Sequence, residues 1–200
     1  MSSKTMRGAL VALVLVATGW GGDARGQDEM DPDAAMQQYM EMMAPGEEHE
    51  ALQAFVGTWD VAVKSWWQGP DGPATESSGV SEGEWILDGR YLEENVTGQM
   101  GMGVFRGIGI VGFDKFNKEY VNSWVDNMGT GIFTATGVYD PAEKTYTYTG
   151  TMDDPMTGRE DVPFRSVIKI ESDDKHVHES FEERDGEWVK TMELIYTRKG

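Results

Sequence analysis

Four side chains with aromatic or hydrogen-bonding character alternate between residues 120 and 126. Residues two apart in a β-strand share one face, so Tyr120, Asn122, Trp124 and Asp126 are predicted to line one side of a strand. Such a face suits either a wetted outer surface or a cavity wall that holds a molecule through a few placed polar groups. We interpret it as a cavity wall, with Asn122 and Asp126 as polar anchors.

Two histidines, His176 and His178, alternate in the same way near an acidic turn. A His-x-His pair on a strand can ligate a metal or haem, and Asp126 with His178 would form an acid–base pair if the fold brought both into one cavity. His49 is the only other histidine, and no third ligand has a natural spacing. We therefore expect a solvated pair, and we assign no metal, no cofactor and no catalytic residue.

Methionines cluster in the acidic segment 27–46, which is predicted to be partly helical. Met36, Tyr39, Met40 and Met43 fall at helical spacing. Thioethers select copper(I), but no histidine or cysteine accompanies them. The pattern therefore favours a helix whose flexible apolar stripe packs on the domain that follows. Residues 47–55 predict a second short helix.

The first 26 residues are typical of a secretory signal peptide. Lys4 and Arg7 precede an apolar run too short to span a bilayer, and small residues follow at 24–26. Cleavage would remove three basic residues and one acidic residue, which moves the formal charge from -18 to -20. We expect an exported, periplasmic or extracellular protein without disulfides, because the chain has no cysteine. Its charge disfavours nucleic acid and anionic lipid as partners.

Residues 47–200 form a predicted all-β domain. Alternating runs follow one another with turn signals between them, among them Asp88-Gly89 and Asp185-Gly186. No segment offers a helical period long enough for a crossover, so about ten strands should form an antiparallel meander closed into a barrel. The Gly107–Gly112 run matches a dinucleotide fingerprint, but another strand follows it where that fingerprint needs a helix.

The two ends of this domain fit together. Gly57-Thr58-Trp59 has the G-x-W pattern that opens lipocalin-like barrels, and Arg198 ends the last predicted strand. First and last strands are neighbours in a closed barrel. The Arg198 guanidinium is therefore predicted to stack on the indole of Trp59 and seal one end.

Several motifs together resemble one bacterial family, the domain of unknown function 1579. The likeness covers about residues 45–199 and rests on seven motifs: Pro45–His49, Gly57–Trp59, Glu84–Leu92, Gly112–Asp114, Ser123–Asp126, Gly129–Gly131 and Asp153–Gly158. Five positions match its motifs: Trp85, Arg90, Trp124, Asp126 and Asp154. The resemblance implies a lipocalin-like barrel and brings no established activity.

We predict a barrel that binds a small, largely apolar molecule, with Trp85, Tyr91, Trp124 and Tyr148 as apolar wall and with Arg90, Asn122 and Asp126 as polar anchors. Two alternatives remain open. One is an isomerase-like, hydrolase-like or haem-dependent enzyme that uses the same cavity. The other is a packed envelope interaction protein without a ligand. The sequence predicts no membrane span after cleavage and leaves the oligomeric state open.

Overall fold

The computed structural model describes residues 31–66, 69, 72–101, 103–154 and 157–200. The predicted signal peptide lies outside these residues. The chain divides into two compact units, Met1–Tyr39 and Met40–Gly200. Helix α1, Pro32–Met42, begins in the first unit, where the Asp31 carboxylate accepts a hydrogen bond from the Asp33 N–H. No helix among the described residues has the length and hydropathy needed to cross a membrane.

The second unit begins with two short helical turns, α2 (Glu47–Glu50) and a 3-10 turn (Ala51–Phe55), followed by ten strands. The strands are β1 (Gly57–Ser65), β2 (Thr75–Ile86), β3 (Tyr91–Met100), β4 (Gly103–Asp114), β5 (Glu119–Asp126), β6 (Phe133–Asp140), β7 (Thr145–Asp154), β8 (Arg159–Ser172), β9 (Lys175–Arg184) and β10 (Glu187–Arg198). Each pairs antiparallel with the next, and β1 pairs with β10 to close the ring. The predicted antiparallel barrel preceded by short helices is confirmed.

Hairpin geometry follows the turn residues. Asp185 and Gly186 both have positive φ, at 53° and 84°. Such a pair forms the two-residue turn whose twist matches that of the flanking strands. Asp88 and Gly89 also have positive φ between β2 and β3. The predicted chain reversals therefore occur where Asp-Gly pairs mark them.

One end of the barrel is closed by Glu47–Phe55, which we call the end plug. Leu52 is fully buried in a cluster with Tyr120 and Tyr146. The Tyr120 hydroxyl donates to the carbonyl of Glu48 over 2.9 Å. The opposite end, which we call the open end, carries the β5–β6 loop and the β9–β10 turn. The inward side chains therefore run from a packed base to an end with no plug among the described residues.

Trp59 and Arg198 lie directly opposite each other in the β1–β10 pairing, beside the end plug. Trp59 is 1% exposed, and its indole N–H donates to the carbonyl of Phe55 over 3.0 Å. The guanidinium carbon of Arg198 lies 4.1 Å above the Trp59 ring, and its Nη1 donates to the carbonyl of Val56. These contacts tie the last strand to both the first strand and the plug.

The expectation of a solvated histidine pair is wrong. His176 is 6% exposed and stacks on Tyr196 with ring centroids 4.2 Å apart, while Trp59 and Phe55 meet it edge-on. Alternation along β9 points both imidazoles into the barrel. The sequence pattern of a polar pair beside an acidic turn is the same whether the pair faces inward or outward. Only the register of β9 decides which of these two orientations occurs.

Candidate functional site

The face of β5 that carries Tyr120, Asn122, Trp124 and Asp126 lines the barrel interior. Tyr120 is 4% exposed, and the other three side chains are partly buried. Trp124 pairs with Gly109 and Asp126 with Gly107 on β4. These four residues therefore contribute one continuous wall from the plugged end to the open end.

The Trp124 indole lies on the backbone of β4, where two glycines leave room for it. A Cβ at Gly107 would lie 2.1 Å from Cζ2 of Trp124, and one at Gly109 would lie 3.3 Å from its Cε3. Phe105 stacks on the indole, with an interplanar angle of 16° and centroids 6.3 Å apart. The two glycines, Gly107 and Gly109, thus make room for an aromatic ring. No helix lies between β4 and β5, whereas the dinucleotide fingerprint needs one after its glycines.

Gly107→Ala is expected to force the Trp124 ring off β4. Overpacking of this kind lowers the free energy of unfolding by about 1–3 kcal/mol. The urea midpoint should therefore fall, while the dependence of this free energy on urea concentration stays unchanged. Gly129→Ala is the matched control, because a Cβ there meets nothing within 4 Å and the backbone φ is not in the left-handed region. Equal midpoints for the two variants would contradict the seating of Trp124 on Gly107.

Asp126 holds Trp124 in place. Its Oδ2 accepts a hydrogen bond from the indole N–H of Trp124 over 2.9 Å, and its Oδ1 accepts from the N–H groups of Met128 and Gly129. The carboxylate therefore orients the indole and fixes the start of the β5–β6 loop. Asn122 differs, because its buried Oδ1 has no hydrogen-bond partner within the described chain.

Exposure of the inward aromatic residues changes along the barrel axis. Near the plug, Trp59, Tyr146 and Tyr148 are at most 2% exposed. Towards the open end the inward aromatic residues all keep accessible surface: Phe105, Trp124, Phe133 and Phe164. Since these side chains point away from the outer surface, the accessible area lies inside the barrel. The open half of the interior is thus where a molecule can reach aromatic side chains.

A partly buried carboxyl group, Glu94 on β3, lies in the same interior. Its Oε1 accepts a hydrogen bond from the Ser81 hydroxyl over 2.7 Å, and Tyr196 forms a second hydrogen bond with it. Burial raises the pKa of Glu94 against the opposing effect of these two bonds, and the same burial raises the pKa of Tyr196. Glu94 is not recognisable as an interior residue from the sequence, because Glu93-Glu94 resembles a solvated acidic pair.

His178 forms a second interior polar group with two serines. Its Nε2 lies 2.6 Å from the Ser166 Oγ and 3.3 Å from the Ser180 Oγ. Burial lowers the pKa of His178 to about 4, so its imidazole is neutral at pH 7. Asp126 and His178 share no hydrogen bond in the described chain. Nor do the described residues contain a group of three or more His, Asp or Glu side chains that could hold a metal ion.

Two predicted ligand-binding residues lie elsewhere. Tyr91 is 37% exposed and covers Gly112 on the outer face, because its neighbour Leu92 takes the inward position. Arg90 lies in the β2–β3 turn, where it contacts the carbonyl of Leu87 and the carboxylate of Asp88. Placing these two residues at an interior site was wrong, since the turn shifts both away from the cavity.

The remaining predicted wall residues face inward but near the base. Tyr148 is 2% exposed, and burial raises its pKa. The indole N–H of Trp85 donates to Oε1 of Gln53 in the end plug over 2.8 Å. Both residues therefore form the floor below the partly exposed aromatic residues of the open half.

The outer surface carries an open groove of about 520 Å³ over strands β10, β1, β2 and β3. Its walls are mostly small outward side chains such as Ala62, Ser78 and Thr97. A smaller groove of about 110 Å³ adjoins it near Lys64 and Glu76. Neither groove is lined by a residue predicted to bind a ligand.

A family model described as Protein of unknown function (DUF1579) matches residues 44–198. The chain belongs to the DUF1579 family. The match spans the end plug and all ten strands of this DUF1579 barrel, and helix α1 lies outside it. A search of curated proteins finds no match.

Two solved structures are similar to the DUF1579 barrel. An S-type phycobiliprotein lyase from Guillardia theta has a TM-score of 0.55 at 11% identity, over 82% of this chain and 98% of that one. A protein of unknown function from the DUF3598 family of Nostoc punctiforme covers 78% of this chain and 100% of that one at 10% identity, with a TM-score of 0.23. The first similarity shows a shared fold. The TM-score of the second is too low to support an argument.

Proposed function

We propose that this protein is an exported barrel that binds a small, largely apolar molecule in the open half of its interior. The observation that carries the proposal is the partial exposure of inward aromatic residues there, above the buried rings of Trp59, Tyr146 and Tyr148. Ligand sites in proteins are concave, mostly apolar and supplied with few polar groups. The unpaired Oδ1 of Asn122 and the Glu94 carboxyl are such groups.

Trp124 is the centre of the proposed site. Its ring is held on one side by β4 and by the carboxylate of Asp126, so its orientation is set before any ligand arrives. A preorganised aromatic surface loses little conformational entropy on binding. Phe133 and Phe164 add a second aromatic surface, with ring centroids 4.8 Å apart.

The signal-like leader and the formal charge of -18 support export and solubility. The likeness to the phycobiliprotein lyase supports the architecture alone, because 11% identity carries no substrate from one protein to the other. The proposed ligand class therefore rests on the side chains of this chain.

Trp124→Ala is expected to abolish the rise in thermal midpoint that small apolar molecules produce in the unaltered protein. Ligands that bind only the folded state raise its stability in proportion to the logarithm of their concentration, and removal of the indole removes the main apolar contact. Trp188→Ala is the matched control, because Trp188 is 41% exposed on β10. An unchanged ligand-induced shift in Trp124→Ala would contradict the proposed site.

A further inference from the structure

We propose that the molecule bound in the barrel carries a cationic nitrogen that pairs with the Glu94 carboxylate beside Trp124. The ligand class is thus an apolar amine, and this inference rests on the proposed function above. Three features of the interior support it: the position of Glu94, the absence of a cation beside it among the described residues, and the aromatic face next to it.

Glu94 and Trp124 are neighbours across β4. Both side chains flank Gly109, since a Cβ there would lie 3.6 Å from the Cβ of Glu94 and 3.3 Å from Cε3 of Trp124. The pairing registers agree, because Gly109 is opposite Glu94 on β3 and opposite Trp124 on β5. A ligand that rests on the indole therefore lies next to the base of the Glu94 side chain, whose carboxyl group extends towards Ser81 and Tyr196.

Within the part of the chain that the structure describes, Glu94 has hydrogen-bond donors but no counter-ion. Ser81 and Tyr196 contact the carboxyl group, and no lysine or arginine within the described residues forms an ion pair with it. A buried carboxylate without a cation is costly, and a cation supplied by a ligand removes much of that cost. The raised pKa of Glu94 is consistent with a carboxyl group that lacks such a partner.

Two arginines near the open end, Arg159 and Arg184, are already engaged in ion pairs. Arg159 pairs with Asp154 at 3.3 Å and with Glu182 at 3.1 Å, and Arg184 pairs with Glu182 at 3.2 Å. These guanidinium groups are held on β8 and β9 by their own acidic partners. They therefore do not neutralise Glu94 on β3.

The aromatic surroundings favour the same charge. A cation within about 6 Å of an aromatic face is attracted by the ring quadrupole, most strongly by tryptophan. An ammonium group between the Trp124 ring and Glu94 would gain this attraction together with the ion pair. An anionic head group would meet a carboxylate and an aromatic face, and both disfavour it.

Three ligands of equal chain length test the inference: dodecylamine, dodecanol and dodecanoic acid, each below its aggregation concentration at pH 7.5. We expect the amine to bind about tenfold more tightly than the alcohol, which corresponds to about 1.4 kcal/mol. Dodecanoic acid should bind most weakly. Titration calorimetry and native mass spectrometry measure the affinities and the stoichiometry.

Two glutamine variants separate the interior carboxylate from the acidic surface. Glu94→Gln should bring the amine and the alcohol to similar affinities. Glu93→Gln changes a residue on the outer face and gives a protein of the same net charge as Glu94→Gln, and it should keep the difference between the two affinities. Glu94→Asp retains the charge and should keep a preference for the amine. Persistence of that preference in a folded Glu94→Gln protein would overturn the inference.

The outcomes for the inference and for the proposed function differ. Equal binding of all three ligands by the unaltered protein would overturn the role of Glu94 and leave an apolar ligand site in place. Binding of none of the three would contradict both. A preference for the amine that Glu93→Gln and Glu94→Gln lower equally would assign the effect to surface charge and overturn the inference.

Discussion

Trp59→Ala is expected to lower the free energy of unfolding by about 3–5 kcal/mol, the range found when large aromatic residues are removed from protein cores. Trp59 is 1% exposed, donates a hydrogen bond to the plug and lies beneath Arg198. Its loss leaves a cavity where β1, β10 and the plug meet. Since domains of this size are stable by about 5–15 kcal/mol, the variant should be close to unfolding at 37 °C.

Urea denaturation followed by circular dichroism measures this change. Trp188→Ala removes the same side chain from a 41% exposed position, where the indole packs on the guanidinium of Arg165. Its cost should stay near 1 kcal/mol, the scale of an exposed cation–π contact. Similar losses for the two variants would show that the end of the barrel does not depend on Trp59.

Acidification from pH 7 to pH 5 is expected to lower the free energy of unfolding by about 3–4 kcal/mol. The loss comes from the protonation of His176 and His178 together. Burial lowers the pKa of His176 to about 3 and that of His178 to about 4, from an ordinary value of 6.5. Between these values the unfolded chain binds more protons than the folded chain, so stability falls as the pH falls. The loss begins near pH 6.5 and is complete below about pH 3.

Glu94 acts in the opposite direction. Its pKa is raised in the folded protein, so the folded chain holds this proton more tightly and the contribution of Glu94 to stability grows as the pH falls towards 4.5. A pH series on the unaltered protein alone would therefore mix opposing effects. Comparison with a variant that lacks only the two imidazoles cancels the contribution of Glu94.

The double variant His176→Phe with His178→Gln serves this purpose. Phenylalanine keeps a ring against Tyr196, and glutamine keeps a polar partner for Ser166. The difference in unfolding free energy between pH 7 and pH 5 should be about 3–4 kcal/mol smaller in the variant than in the unaltered protein. An equal pH dependence in both proteins would mean that the imidazoles are not buried in neutral form.

The barrel itself was predictable because each strand and each hairpin has a recognisable local sequence pattern. Alternation identifies each strand, and Asp-Gly pairs such as Asp185-Gly186 mark the hairpins. Without a crossover helix the strands had to follow one another in space. The G-x-W segment and Arg198 then indicated which strands close the ring, and the structure pairs those two strands.

The interior was only partly predictable, because the inward face of a strand depends on its register. The face of Trp124 was recognisable since all its members are large or polar. Tyr91 was misplaced because the turn at Asp88-Gly89 sets the phase of β3 and turns Leu92 inward. The register of β3 also decides that Glu94 faces inward, because Glu94 shares its face with Leu92 and Val96 and not with Glu93.

Closure between β1 and β10 has a consequence for how the chain folds. All other strand pairs join neighbours in the sequence, whereas Arg198 bonds to Val56 across 142 positions. Long-range contacts slow folding because their loop entropy is lost before they form. Until β10 arrives, β1 and β9 present unpaired edges that promote aggregation. The pairing of β10 with β1 thus determines when the barrel loses its exposed strand edges.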